Sequence, residues 1–404
     1  MRTRTTRPAK RRYVFWISTL VATLLLLAAA IVLVMVPKPM VVTVGTLEGR
    51  AVGRQSASLD DSPGVLAELV REVARDTGMS VEVSREYVSN SLVPWKNTDV
   101  SIDWFEPDRA RSMLIDPAVA GADGTRLLAI DPFGLVVDRD FVGGSFDPRR
   151  VSLDDVVATP SRLIPTDGSY PEAEFALVAA GAETIGLGPL VLYLIDSQQG
   201  SEAVEALYEM LSRADRAGLG LEDELPPESP VAPVVDTLVT WTDSGALPAN
   251  WLEWDRLAVI DALTAGRSVA YAMWYGQYSR LSRNETFSAR FVPLPPAGGR
   301  RTRSMVARVL EAQVSGDPWD ADAAERLVAG FQDEAVQRAL TEQAGVVGVV
   351  GDGAVLNLEH RDLRQAYRGT GALVAYGPAF FGSELWEETV DAIRFRVRFA
   401  SETR

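Results

Sequence analysis

Tyr13 to Val36 reads YVFWISTLVATLLLLAAAIVLVMV, without one charged residue, and this run divides the chain before anything else can be said of it. About 20 apolar residues span a bilayer as a helix. A core helix is seldom apolar on every face for so long, so the run is expected to cross a membrane. Arg2, Arg4, Arg7, Lys10, Arg11 and Arg12 crowd ahead of it. By the positive-inside rule residues 1–12 form a cytoplasmic tail and everything after Pro37 lies on the extracytoplasmic side. The residues at Met35–Lys38 are not small, so no signal-peptide cleavage site follows and residues 1–36 are expected to be retained as an anchor, single-pass in the cytoplasmic membrane. Only Pro37 to Met40 separate the anchor from the apolar, β-branched Val41–Val44. Four residues reach roughly 14 Å, which holds the folded part close to the bilayer.

A chain of 404 residues is too long for one compact core, so two lobes are expected. With 47% hydrophobic and 24% charged residues the composition is that of a folded protein. The net charge of −15, with basic residues gathered at the N-terminus, argues against a nucleic-acid surface. No cysteine is present, which excludes disulfides, thiolate metal sites and thiol nucleophiles. His360 is the only histidine, so imidazole clusters cannot be built, and neither a metal nor a cofactor is expected. Its setting, Glu359-His360-Arg361-Asp362, reads as a charged surface turn.

After the first strand, Ser62-Pro63 opens a helix, with Ser as N-cap and Pro at the first position. Val65, Leu66, Leu69, Val70 and Val73 give that helix an apolar face and Gly78 closes it. Val81, Val83 and Tyr87 alternate as a strand, as do Val100, Ile102 and Trp104 behind Asp99. Leu127 to Val137 is an apolar run broken by Pro132, placed to carry the chain from one lobe to the other. Helical patterns follow at Pro171–Gly181, Ser201–Arg216 and Val231–Leu247. Gly186-Leu187-Gly188 and Gly218–Gly220 lack the strand-loop-helix setting of a phosphate loop.

Residues 263–296 are the most informative stretch. Gly266 stops a helix, Ser268 to Met273 alternates as a strand, and Trp274, Tyr275 and Tyr278 follow where a strand gives way to a helix. In α/β folds that point faces the ligand crevice. The pattern Leu263-x-x-Gly266-Arg267-x-x-Ala270-x-x-Met273, the aromatic segment and the later Val292-Pro293-Leu294-Pro295 resemble the extracellular solute-binding proteins of ABC transporters, in their carbohydrate-binding branch. Asp243 to Pro248 ahead of that stretch, and Ala321–Phe331 followed by Asp333-Glu334-Ala335-Val336-Gln337 behind it, are similar to further segments of the family. Asp138-Arg139-Asp140-Phe141 and Pro148 to Asp155 match only partly, lacking the family's Asn and Trp. The resemblance covers about residues 41–353. The lipid-carrying cysteine by which many of these proteins are anchored is absent.

The resemblance implies an α/β, two-lobed type II periplasmic-binding-protein fold, here with an N-terminal transmembrane helix. Residues 41–132 plus about 292–318 would form lobe one, and about 133–291 plus 319–404 lobe two. It implies capture of a carbohydrate, or another small polar solute, for ABC permease subunits, without chemistry. Sugar rings stack their C–H faces on aromatic rings and need fixed polar partners for their hydroxyls. Several of the 9 Trp stand at element ends beside such partners. The expected ligand contacts are Trp274 and Tyr275, then Trp241 and Trp104 with Glu106, with Glu48 and Tyr170 at positions where the family often touches ligand. Any single buried Trp is more often core than platform. Two rivals stand beside this reading: a sensing module for a membrane partner, and an extracytoplasmic glycoside hydrolase, for which no two carboxylates pair convincingly.

Overall fold

The computed structural model describes residues 39–44, 62–84, 98–104, 114–115, 125–138, 153–157, 173–217, 229–281, 289–293, 304–315, 318, 320–349, 358–369, 372–376 and 384–402, with Val21 and Thr23 besides. The expected anchor, apart from those two helical residues, and Tyr87 and Gly218–Gly220 lie outside them. Among the described residues no helix is long and apolar enough to cross a membrane.

The first lobe is built on β1 (Met40–Val44), β2 (Val81–Ser84) and β3 (Val100–Trp104). Both β2 and β3 run parallel to β1, which α1 (Ser62–Asp76) connects to β2. The helix buries Leu66, Leu69, Val70 and Val73 and ends before Gly78, whose φ of 70° only glycine adopts cheaply. Asp99, read as the acid leading β3, accepts a hydrogen bond from the Val41 amide at 2.8 Å and so sets the register of β3 on β1.

β5 (Thr125–Asp138) is the strand that joins the lobes. Thr125 to Pro132 pair with β9 (Ser304–Val314), and β9 in turn pairs antiparallel with β3. From Phe133 onward β5 pairs instead with β7 (Ser268–Trp274) and β8 (Ala289–Pro293). Pro132 stands where the partner changes, and a residue with no N–H to donate costs least there. The backbone order is β2-β1-β3-β9-β5-β7-β6, where β6 (Phe175–Ala179) lies parallel to β7. Two short strands, β10 (Val347–Gly348) on β5 and β11 (Ala372–Ala375) on β9, with β4 (Leu114–Ile115) on β11, complete the sheet.

Lobe two wraps its strands with α2 (Leu153–Val157), α3 (Thr184–Gln199), α4 (Ser201–Ala217), α5 (Ala232–Asp243), α6 (Arg256–Thr264) and α11 (Glu384–Glu402). Its core joins Leu135, Leu177, Leu190, Leu238, Trp251 and Ile393, among others. Two features depart from the sequence reading. The expected helix over residues 171–181 is strand β6, whose Phe-Ala-Leu-Val-Ala is buried on both faces and so carries no period to read. The chain then enters α3, which the reading left unassigned because it is buried from Gly186 to Ser197 on every side. Gly186 and Gly188 therefore do follow a strand and a turn, but they lie inside the helix. A Cβ on them would come within 2.4 Å of the Ala180 carbonyl and 2.5 Å of the Tyr376 hydroxyl, so their role is close packing.

The lobe boundaries also need correction. α8 (Ala321–Gly330) and α9 (Glu334–Ala344) fall in residues assigned to lobe two. Ala324, Leu327, Val328, Phe331 and Leu340 pack instead with Leu66, Val70, Val73, Val100 and Ile102 of lobe one. Gly330 lies so near α1 that an added Cβ would meet Val73 Cγ1 at 2.4 Å. Buried Gln337 ties α9 to the crossing strand, donating to the carbonyls of Leu128 at 3.2 Å and Phe331 at 2.8 Å. The apolar face of the pair had no partner visible in the nearby sequence; its partner is α1, far earlier in the chain. His360, read as a surface turn, is fully buried on α10 (Leu358–Arg368). Around it Glu359 accepts from the Phe291 amide and Asp362 pairs with Arg290, so the charged run is turned inward onto β8.

Replacing Phe331 with Ala should destabilise lobe one by about 3–5 kcal/mol. Hydrogen exchange should show the slow amides of β1 and β3 lost while those of β6 and β7 are retained. Equal acceleration in both lobes would contradict the placement of α8 and α9.

Candidate functional site

The strand registers bring one row of side chains together where β5 changes partners. Asp131 stands opposite Arg308 on β9, and Trp104 on β3 stands opposite Leu310, two residues along from Arg308. Phe133, two residues along β5 from Asp131, stands opposite Trp274. Side chains two apart on a strand share a face. Trp104, Arg308, Asp131, Phe133 and Trp274 thus form a continuous line across the junction of the lobes, fixed by pairing alone.

Arg308 fills the centre of that line. Its guanidinium carbon lies 5.1 Å from the ring centre of Trp104 and 4.9 Å from that of Trp274, so an indole from each lobe faces it. A cation over an aromatic face is held by the ring quadrupole, more strongly when water is excluded. Its Nε donates to Asp131 Oδ2 at 3.1 Å, and Nη2 bonds the same oxygen more closely. Asp131 is 0% exposed, and its Oδ1 takes the Gly276 amide at 2.8 Å. A cavity of about 20 Å³ remains beside the pair, bordered by Trp104, Ile185, Arg256, Gln277 and Arg280. That is room for about one water.

The sequence-predicted residues separate clearly. Trp274 and Trp104 meet at the junction. Trp274 is 1% exposed, its Nε1 donates to the Ile185 carbonyl at 3.0 Å, and Phe133 meets its ring edge-on at 5.2 Å. Trp104 is 5% exposed, and its Nε1 has no hydrogen-bond partner among the described residues. Tyr275 points to the opposite face of the sheet, where it packs on Phe291 at 5.3 Å and Tyr278 at 6.4 Å. Burial, then the carboxylates of Glu359 and Asp131, push its phenol far above the ordinary range. Trp241 lies in the lobe-two core on α5, away from the junction cavity. The structure brings neither of these two to the junction. Glu48, Glu106 and Tyr170 lie outside the described residues.

Asp131 and Arg308 were not singled out in the sequence, although a signal was present. Each stands within an apolar stretch of its strand, Leu-Ala-Ile-Asp-Pro-Phe and Met-Val-Ala-Arg-Val-Leu, and the charges are of opposite sign. Arg256, which also borders the cavity, is held by Glu183 at 2.7 Å just before α3 begins. A second inter-element contact lies nearby: Ser304 donates to Asp196 Oδ2 at 2.5 Å, linking the end of α3 to the start of β9. Burial raises the Asp196 carboxyl above its ordinary range, and the serine bond lowers it in part.

Two outcomes follow from this geometry. Arg308→Met should cost about 3–5 kcal/mol in urea unfolding, because it leaves Asp131 buried without its partner, and adding Asp131→Asn should recover most of that loss. For Asp196 the folded state holds its proton more tightly than the unfolded chain does. Stability should therefore fall as pH rises through the interval just above the usual carboxyl range. Asp196→Asn should flatten that slope and raise the melting temperature at pH 7 relative to the parent, with the difference shrinking towards pH 4.

No family model matches the chain, and no curated protein sequence does. Among solved structures, a probable secreted solute-binding lipoprotein from Streptomyces coelicolor is 12% identical with a TM-score of 0.61, over 91% of this chain and 98% of that one. The bacterial solute receptor AcbH, described as having an exclusive preference for β-D-galactopyranose, is 14% identical with a TM-score of 0.57, over 90% and 98%. A chitin oligosaccharide binding protein is 13% identical with a TM-score of 0.55, over 91% and 100%. The chain therefore has the two-lobed α/β fold of these solute-binding proteins.

Proposed function

We propose that this chain is an extracytoplasmic solute-binding protein that captures a carbohydrate and delivers it to an ABC importer, held at the membrane by residues 13–36. The observation that carries the reading is the meeting of Trp104 from one lobe and Trp274 from the other on the guanidinium of Arg308. A sugar needs aromatic faces for its C–H groups and a rigid fork of donors for its oxygens. The line across the junction supplies both, from strands rather than loops, at the point where a two-lobed protein closes. The solute-binding and sugar-binding proteins of like fold support the same reading.

β5 and β9 contribute residues on both sides of the junction, so a change of twist in them separates the lobes while each core stays intact. Separation would expose the two indole faces and the arginine that they cover. A solute that contacts both lobes stabilises the closed state by its differential affinity for it. The role proposed is capture without turnover.

A thermal-shift and calorimetry panel of mono- and oligosaccharides on the full chain tests this. At least one sugar should raise the melting temperature in a concentration-dependent way and be recovered unchanged. Trp104→Ala should lower its affinity by on the order of 1–3 kcal/mol, the range for loss of a stacked ring. A panel without any binder, or catalytic consumption of the bound sugar, would sink the proposal.

A further inference from the structure

The short helix α7 (Tyr275–Ser279), which follows β7 in lobe two, meets lobe one at both of its ends. Its N-cap, Trp274, lies with its ring centre 4.9 Å from the Arg308 guanidinium carbon. The Gly276 amide donates to Asp131 Oδ1 at 2.8 Å. At the far end Ser279 Oγ lies 3.3 Å from the Gly345 carbonyl, where α9 stops, and 3.2 Å from the Gly276 carbonyl. Asp131 and Arg308 pair on the lobe-one side of Pro132, and α9 packs in lobe one. Three contacts therefore cross the junction, and their lobe-two partners all lie in the one run from Trp274 to Ser279.

Gly345 shows how closely the lobes meet here. It ends α9 in the left-handed conformation, with φ at 67°. A Cβ on it would meet Ser279 Oγ at 2.6 Å, the Gly276 carbonyl oxygen at 3.6 Å and Arg280 Nε at 3.7 Å. All three of these nearest atoms belong to the other lobe. The cavity alongside is about 20 Å³, walled by Trp104, Ala344 and Val346 from lobe one and by Ile185 and Gln277 from lobe two. Sites for small molecules enclose several hundred Å³. With α7 in this position, a sugar ring does not fit between the two indoles.

Resting on the solute-binding reading above, we infer that α7 is a latch: its contacts with Asp131, Arg308 and Gly345 hold the lobes closed before a solute enters, and solute is taken up only by the form in which they have parted. The contacts are two hydrogen bonds and one cation–ring contact, so they break and re-form without opening either core. Asp131 keeps Arg308 when they part, because the two stand opposite each other on β5 and β9, and no charge is left unpaired. Solute then reaches the site no faster than the latch releases, and the apparent affinity falls in proportion to the fraction of molecules that are open.

The chain has no cysteine, so Glu72→Cys on α1 and Glu202→Cys on α4, both at exposed positions, place one spin label on each lobe. Double electron–electron resonance on the full chain in nanodiscs then reads the distance between the lobes. Before any sugar is added, the labelled parent should show one short distance. Asparagine tolerates the left-handed conformation better than most residues, so Gly345→Asn keeps the helix end while its side chain wedges against Ser279. It should move most molecules to a longer distance. Ser279 does not border the cavity, and Ser279→Ala removes one crossing hydrogen bond. It should raise the open-to-closed ratio about three- to tenfold and speed uptake of any sugar found in the thermal-shift panel by the same factor. A parent that starts at the long distance and shortens only when sugar is added overturns the latch and leaves the solute-binding reading intact. Both variants keeping the parent's distance and uptake rate overturn it as well. Variants that open while no sugar binds support the latch and sink the solute-binding reading alone.

Discussion

A buried ion pair sits at the one place where the two halves of this molecule share a strand. Asp131 on β5 and Arg308 on β9 face each other across an antiparallel pair of strands, one residue before the proline at which β5 leaves β9 for β7. Removing two charges from water is expensive, and the cost is offset here by further contacts that each of the two groups makes. Asp131 takes an amide from lobe two as well as the arginine, and the arginine lies against an indole from each lobe. The pair thus does more than fill space between strands. It ties the start of α7 (Tyr275–Ser279) to β5 and β9, so the hydrogen bonds of the pair reach both lobes.

Much of the secondary structure was legible because it follows local rules. The helix after Ser62-Pro63, the strand behind Asp99, the stop at Gly266 and the strand from Ser268 all stand where capping and alternation put them. The failures share a cause. β6 and α3 are buried on all sides, and a segment without a solvent face carries no period to tell strand from helix. The residues of α8 and α9 were assigned to the wrong lobe, because an amphipathic face announces that it has a partner without saying which one.

The site was legible in part for the same reason. Trp104 and Trp274 were picked as aromatics at the ends of strands, and both reach the junction. Tyr275 stood next to Trp274 in sequence and was grouped with it, yet the strand ends at Trp274 and Tyr275 opens α7, with its phenol among Phe291 and Tyr278. The centre of the site went unnoticed because aromatic residues were sought and an arginine within an apolar stretch was not.

The order in which the strands lie across the sheet differs from the order in which they leave the ribosome, and this bears on how the protein matures. β3 in lobe one waits for β9, about half the chain later, and α1 waits for α8 and α9, later still. Lobe two is no earlier to finish, since Trp386, Val390, Ile393 and Val397 of α11 complete its core. Neither half can bury its apolar faces while synthesis is under way, and contacts so distant in sequence form slowly. A nascent chain of this design completes lobe one only once α9 is made, and lobe two only with its last helix.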